Sequence, residues 1–168
     1  MEWWRIRVTP IDDNLYIWRL AMTFADAAQP RKLDADFAAA AIDPIVTFEV
    51  RFPGDYPIVP PFVRVLSPIF LYPSTFVDSS GALCMEVLTT QGWAPAVGMT
   101  GLAVCVKATL LSVDARLDVA RSRGGGSYGG GVREAMSAFR GMVASHGWRV
   151  PDAQAVVGDD SAMFPGRR

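Results

Sequence analysis

The chain is poor in the residues that most often carry chemistry. Two cysteines and one histidine in 168 residues leave no ligand set for a cysteine-rich or histidine-rich zinc site. Cys84 and Cys105 also make neither a C-x-x-C pair nor a disulfide framework. A reducing compartment is therefore expected, with no metal and no cofactor. Charge of one sign is equally scarce, since 16 basic residues face 17 acidic ones for a formal charge of −1. That balance offers phosphate backbones no broad basic face, so nucleic acid is not an expected partner. No run of 18 or more apolar residues appears, and the opening MEWWRIRV has neither the apolar core nor the cleavage site of a signal peptide. The expectation is a cytoplasmic or nuclear protein without a membrane partner. No internal repeat is evident.

What is present suits a single globular domain. Apolar residues make up 51% and charged residues 20%, enough to bury a core at a length that usually builds one. Residues 1–150 read as the domain, and the small and polar stretch 151–168 as a flexible tail. Alternation marks two strands, and a short apolar run a third. In 15–24, Trp18, Leu20, Met22 and Phe24 share one side; in 45–52, Val46, Phe48, Val50 and Phe52 do; residues 62–66 form a third. The closely spaced strands, with the proline-rich turn FPGDYPIVPP between the last two, predict an antiparallel meander. The intervening 26–44 reads as a connection with a short alanine-rich helical stretch at 37–42.

Farther along, residues 67–93 show little periodicity, and long irregular stretches of this kind are often functional. Residues 100–111 predict an apolar helix with Thr100 as N-cap, and 132–145 a helix with Val132, Ala135, Met136, Phe139, Met142 and Val143 on one stripe, closed by His146-Gly147. Between them RSRGGGSYGGG holds six glycines in eleven residues. Its backbone entropy predicts a mobile loop. No Gly-Lys-Ser/Thr follows and no strand leads directly into it, so it is not read as a phosphate cradle.

Cys84 is the first candidate for chemistry, because it follows Gly81 in the irregular stretch where a thiol is open to a partner. An inert buried cysteine and a nucleophile both remain open on this reading. Cys105, inside an apolar helix, reads as core. Asp114 and Asp118 follow that helix and are candidate acids or bases, against the plainer reading of solvated carboxylates. His146 reads as a helix cap or as a displaced base.

FPGDYPIVPPFVRV, then GALCMEVL, then GWAPA resemble the ubiquitin-conjugating enzymes in order and spacing, over about residues 8–117. Ala82-Leu83-Cys84-Met85-Glu86, Gln91-Gly92-Trp93, Ala115-Arg116 and Gly147-Trp148 are similar to the divergent Q-type subfamily, as is DDNLYIW at 12–18. The resemblance implies an α+β fold: a meander of three to four strands, a central helix and a C-terminal helix, with 1–150 as the conjugating domain. The basic first helix of the family has almost no room before Val8 and is expected to be reduced or missing.

On this resemblance Cys84 accepts ubiquitin, or a ubiquitin-like protein, from an activating enzyme as a thioester and passes it to an amine or hydroxyl. ATP is used by the activating enzyme and not by this chain. Ile58, Pro95 and Ala96 fall on the loops that receive ligases. The family's His-Pro-Asn places an asparagine eight residues before the cysteine, where this sequence has Phe76 after Ser74-Thr75. A side chain without a donor forgoes a stabilisation worth about 3 to 4 kcal/mol when one hydrogen bond supplies it in acyl-transfer enzymes. The family's later acidic position falls on Leu117, between Asp114 and Asp118, and the Q-type histidine position on Val143. Two readings follow: an active conjugating enzyme, favoured by Cys84, and a non-catalytic binding module of the same fold, favoured by these departures. An unrelated thiol hydrolase requires His146 within reach of Cys84.

Overall fold

The computed structural model describes residues 5–25, 31–73 and 76–149. The tail expected at 151–168, with Ser74 and Thr75, lies outside the described residues. The order is β1 (Ile6–Ile11), β2 (Asn14–Thr23), α1 (Lys32–Ala40), β3 (Ile45–Arg51), β4 (Phe62–Ser67), α2 (Gly98–Ser112), α3 (Val119–Ser122) and α4 (Val132–Ser145), with single 3-10 turns at Glu86–Leu88 and Pro95–Val97. The strands form an antiparallel meander in the order β1-β2-β3-β4, the α+β architecture expected from alternation and turns.

Two elements depart from the sequence reading. β1 is absent from it, although Ile11 pairs with Asn14 across a two-residue turn at Asp12 and Asp13, both at positive φ (52° and 56°). Such turns favour Asn-Gly or Asp-Gly, so Asp-Asp hides the hairpin. α1 starts five residues before the alanine-rich stretch. Its N-terminus is closed by Asp34 accepting from the Arg31 amide at 2.7 Å. Buried Asp36 on α1 accepts a fork from Arg116 at 2.6 and 2.7 Å and the Leu117 amide at 2.9 Å. The Arg116 hydrogen bonds hold its carboxyl below the usual range, against burial. A segment with no clear period is thus fixed to the chain entering α3.

The core lies between the sheet and α2. Leu20, Met22, Val46, Phe48, Val50, Val63 and Val65 face Leu102, Ala103, Val106 and Leu110, and each large apolar side chain so buried contributes about 1.5 to 3 kcal/mol. Lys107 is also buried there, its Nζ donating to the Thr23 carbonyl at 2.7 Å and lying 5.7 Å from the centre of the Phe24 ring. By length and composition alone Pro95–Ser112 matches a membrane span, with mean hydropathy 1.4. Polar interruptions hide this from a count of consecutive apolar residues. Because α2 is apolar nearly all round, periodicity does not identify its inner face, and Cys105 is exposed rather than in the core.

On the other face of the sheet Phe62 meets Phe139 of α4 edge-on, with ring centres 5.9 Å apart. α4 occupies the expected residues and buries Ala135, Met136, Phe139 and Val143. The glycine-rich segment is not a free loop. Tyr128 in its middle is 7% exposed, its amide donates to Leu66 O at 2.9 Å, and Arg64 Nη1 donates to Gly130 O at 2.8 Å. One buried aromatic ring and these bonds offset the entropy that composition alone assigns to the glycines.

Candidate active site

Cys84 closes a short loop whose two sides are paired. Its amide donates to Phe76 O at 2.8 Å, Val77 bridges Leu83, and the Asp78 amide donates to Ala82 O at 3.0 Å. Asp78 organises the turn, with Oδ1 accepting from the Ser80 amide at 2.8 Å, the Ala82 amide at 3.1 Å and the Ser80 hydroxyl. An aspartate that bonds the backbone two residues on explains why Asp-Ser-Ser-Gly turns here. Gly81 sits at φ +88°, and a Cβ there would meet Val65 O at 2.5 Å. Val65 donates to the Gly81 carbonyl at 2.8 Å, so the cysteine loop is registered directly on the edge of the sheet.

Beyond Cys84, the turn Glu86–Leu88 is locked by the Thr89 hydroxyl donating to Glu86 O at 2.7 Å. A Cβ on Gly92 would lie 2.2 Å from that carbonyl, which accounts for glycine before Trp93. The Trp93 indole donates to Pro57 O at 2.8 Å and its ring lies near Tyr56. This single side chain brings the Ile58 turn beside Pro95–Val97. Ile58 is 73% exposed, and Pro95 and Ala96 are exposed.

The segment after α4 folds back over the cysteine. Arg149 donates its amide to Gln91 Oε1 at 2.6 Å and accepts from the Thr90 amide at 3.3 Å, while the His146 ring stacks on Trp148 with centres 4.5 Å apart. His146 Nδ1 lies 3.9 Å from Cys84 Sγ and 2.8 Å from Met142 O. A carbonyl only accepts, so Nδ1 carries the proton and the basic lone pair is on Nε2. In this tautomer the Nδ1 proton is held by Met142 O, so Nδ1 has no lone pair with which to take a proton from sulfur, which is not the base arrangement of a thiol hydrolase. Cys84 is half-buried; burial, and then the charge of Asp78, push its thiol pKa up.

The other candidates occupy different places. The Phe76 side chain is 39% exposed, while its carbonyl holds the Cys84 amide. Asp114, at φ +52°, makes an exposed ion pair with Lys32, and Asp118 caps α3 by accepting from the Arg121 amide at 3.0 Å. The carboxylate acting on Cys84 is Asp78, which the sequence reading passed over although Asp-x-Ser-Gly is a turn signature. Ser122 and Tyr128 were also missed: Ser122 Oγ accepts from the Ile69 amide at 3.0 Å, and the Tyr128 hydroxyl from the Phe70 amide at 2.9 Å. A lone tyrosine among glycines was the available signal.

Comparison with known proteins follows the same residues. The family profile "Ubiquitin-conjugating enzyme" matches residues 44–119. Ubiquitin-conjugating enzyme E2 Q1 of Homo sapiens is 30% identical over 146 residues, covering 84% of this chain and 33% of that protein. Ubiquitin-conjugating enzyme E2Q-like protein 1 of Homo sapiens is 29% identical over 149 residues, covering 87% and 88%. An E2Q-like protein of Drosophila melanogaster is 28% identical over 144 residues, covering 84% and 44%. The chain thus spans a third of one relative, under half of another and most of the E2Q-like protein 1. With the cysteine loop, the Trp93 frame and the meander in place, the chain is similar to the ubiquitin-conjugating enzymes, and among them to Q-type members.

Proposed function

We propose that Cys84 accepts ubiquitin or a ubiquitin-like protein as a thioester from an activating enzyme and delivers it to an amine or hydroxyl. The observation that carries this reading is a half-buried thiol on a doubly paired loop, inside the residues that match the family and where the resemblance of GALCMEVL puts the family's cysteine. In the first step the Cys84 thiolate attacks the incoming thioester carbonyl, one C–S bond forms, and the other breaks to release the donor's thiolate. The bonds exchanged are alike, so positioning rather than driving force is the main requirement. A raised thiol pKa lowers the thiolate fraction but leaves a more nucleophilic thiolate once formed.

In the second step an amine or hydroxyl attacks the Cys84 thioester, a C–N or C–O bond forms, and Cys84 leaves as the thiolate. The acceptor's proton goes to solvent or to Nε2 of His146, whose ring is oriented by Met142 O and Trp148. The Phe76 side chain supplies no donor to the oxyanion, so that contribution falls to backbone amides or to the partners. The patch of Ile58, Pro95 and Ala96, held together by Trp93, is the proposed seat of a ligase.

The test is a charging assay with activating enzyme, ubiquitin and ATP, resolved with and without reductant for wild type, Cys84→Ala and Cys105→Ala. A reducible adduct of one ubiquitin, lost only in Cys84→Ala, is the expected result. No adduct with ubiquitin or with any ubiquitin-like protein and its own activating enzyme refutes the carrier role. The binding module, favoured by the absence of a donor on the Phe76 side chain, then takes its place.

A further inference from the structure

We propose that Tyr128 is a positioning residue for Cys84, fixing both arms of the cysteine loop through one side chain. The inference rests on the carrier reading only for its effect on transfer; the geometry stands without it. Residues 68–73 lead into the loop, and residues 76–84 carry Phe76 and Cys84. The Tyr128 hydroxyl accepts from the Phe70 amide at 2.9 Å on the first arm. Its ring lies against Gly81 on the second, so close that a Cβ on Gly81 would stand 3.2 Å from ring carbons. Gly81 is three residues before Cys84 and within the Asp78 turn. The Tyr128 amide donates to Leu66 O on β4, and Arg64 holds the neighbouring Gly130 carbonyl, so the ring is itself held against the sheet.

The rest of the first arm is fixed from the same side. Ser122 Oγ bonds both the amide and the carbonyl of Ile69, and Phe70 bridges Leu117. Tyr128 reaches both arms at once. The charged groups acting around it are Asp78, Asp118 and Arg121, and the titratable groups facing Cys84 are Asp78 and His146. Burial pushes the Tyr128 phenol up to about 12, against the hydrogen bond from Phe70. The side chain thus serves as a neutral acceptor and not as an acid or base.

The experiment uses the full chain with Tyr128→Phe, which keeps the ring and removes the acceptor for Phe70, and Tyr128→Leu, which removes both contacts. Cys84 alkylation by iodoacetamide is followed against pH by mass spectrometry, with exposed Cys105 in the same chain as reference. Single-turnover charging and discharge are measured beside it, and the folded fraction is checked by circular dichroism. Freed from Tyr128, Cys84 should escape part of its burial. Its alkylation midpoint then moves to lower pH and its rate relative to Cys105 rises about threefold or more, while discharge falls about ten- to a hundredfold. Tyr128→Phe is expected to shift both in the same direction by less, and it carries the test if Tyr128→Leu does not fold. An unchanged Cys84 profile in folded variants overturns the proposal, as does a transfer loss that tracks only the folded fraction. Failure of the wild type to form any thioester would refute the carrier reading and leave the alkylation result to decide the positioning role.

Discussion

Replacing Glu49 by glutamine should remove a large share of the protein's stability, because the charge it takes away sits between two arginines with little water. Glu49 and Arg64 are 6% and 10% exposed in their side chains, and Arg51 is 15% exposed. Arg64 reaches Glu49 Oε2 through Nε at 3.1 Å and Nη2 at 2.7 Å, and Arg51 Nε bonds Oε1. Taking one partner from a buried ion pair costs about 3 to 5 kcal/mol, since the charge left behind stays desolvated. Domains hold about 5 to 15 kcal/mol in total. For a chain of this length the loss corresponds to a fall in melting temperature of roughly 6 to 20 °C. Burial alone would raise the Glu49 carboxyl, but the hydrogen bonds from Arg51 and Arg64 outweigh it and hold the folded pKa below 4.5. The contribution is therefore complete above the unfolded value and is lost as pH falls through the folded one. Urea denaturation from neutral to acid pH should show wild-type stability declining in that window and a flatter profile for Glu49→Gln. Adding Arg64→Met should recover part of the loss, because it removes a stranded cation. A Glu49→Gln variant within about 1 kcal/mol of wild type would mean that water reaches the arginines and would refute the reasoning.

Asp78→Asn keeps the acceptor for the Ser80 and Ala82 amides and removes the charge that raises the Cys84 thiol. Its Cys84 should alkylate faster than wild type near neutral pH, with Cys105 unchanged; an equal or slower rate contradicts the electrostatic assignment. His146→Gln should charge normally and discharge about a hundredfold more slowly in single-turnover assays, the scale of a lost general base, and an unchanged discharge rate assigns the proton to solvent. Ile58→Glu, at a position 73% exposed, should stay within about 0.5 kcal/mol in urea denaturation and keep its charging rate. Its ligase-stimulated discharge should fall about thirtyfold, as for a hot-spot side chain, and retention of that stimulation removes the docking role.

Local information was legible wherever a period or a turn states it. β3 follows from alternation, β4 from a short apolar run after the proline-rich turn, α4 from one helical stripe, and β2 from the alternation after Leu15. β1 did not, because Pro10 and the Asp12-Asp13 turn blur the hairpin signal although the backbone accommodates both. Cys105 shows the limit from the other side. On a helix apolar all round, composition says that some face is buried without saying which, and packing on Met22, Phe48 and Val63 selected Leu102, Val106 and Leu110 instead.

The sequence by itself determined the resemblance to the ubiquitin-conjugating enzymes, the meander, the identity of the candidate thiol and the two patches around Ile58 and Pro95. These depend on side-chain identity at fixed spacing, which the chain states directly. Only the tertiary structure decided that His146 lies beside Cys84, 62 residues away, that Trp93 joins the two patches, and that Tyr128 makes an ordered strap of a glycine-rich segment. Each is a contact between elements whose separation along the chain carries no register. It is settled by how the sheet, α2 and α4 pack against one another.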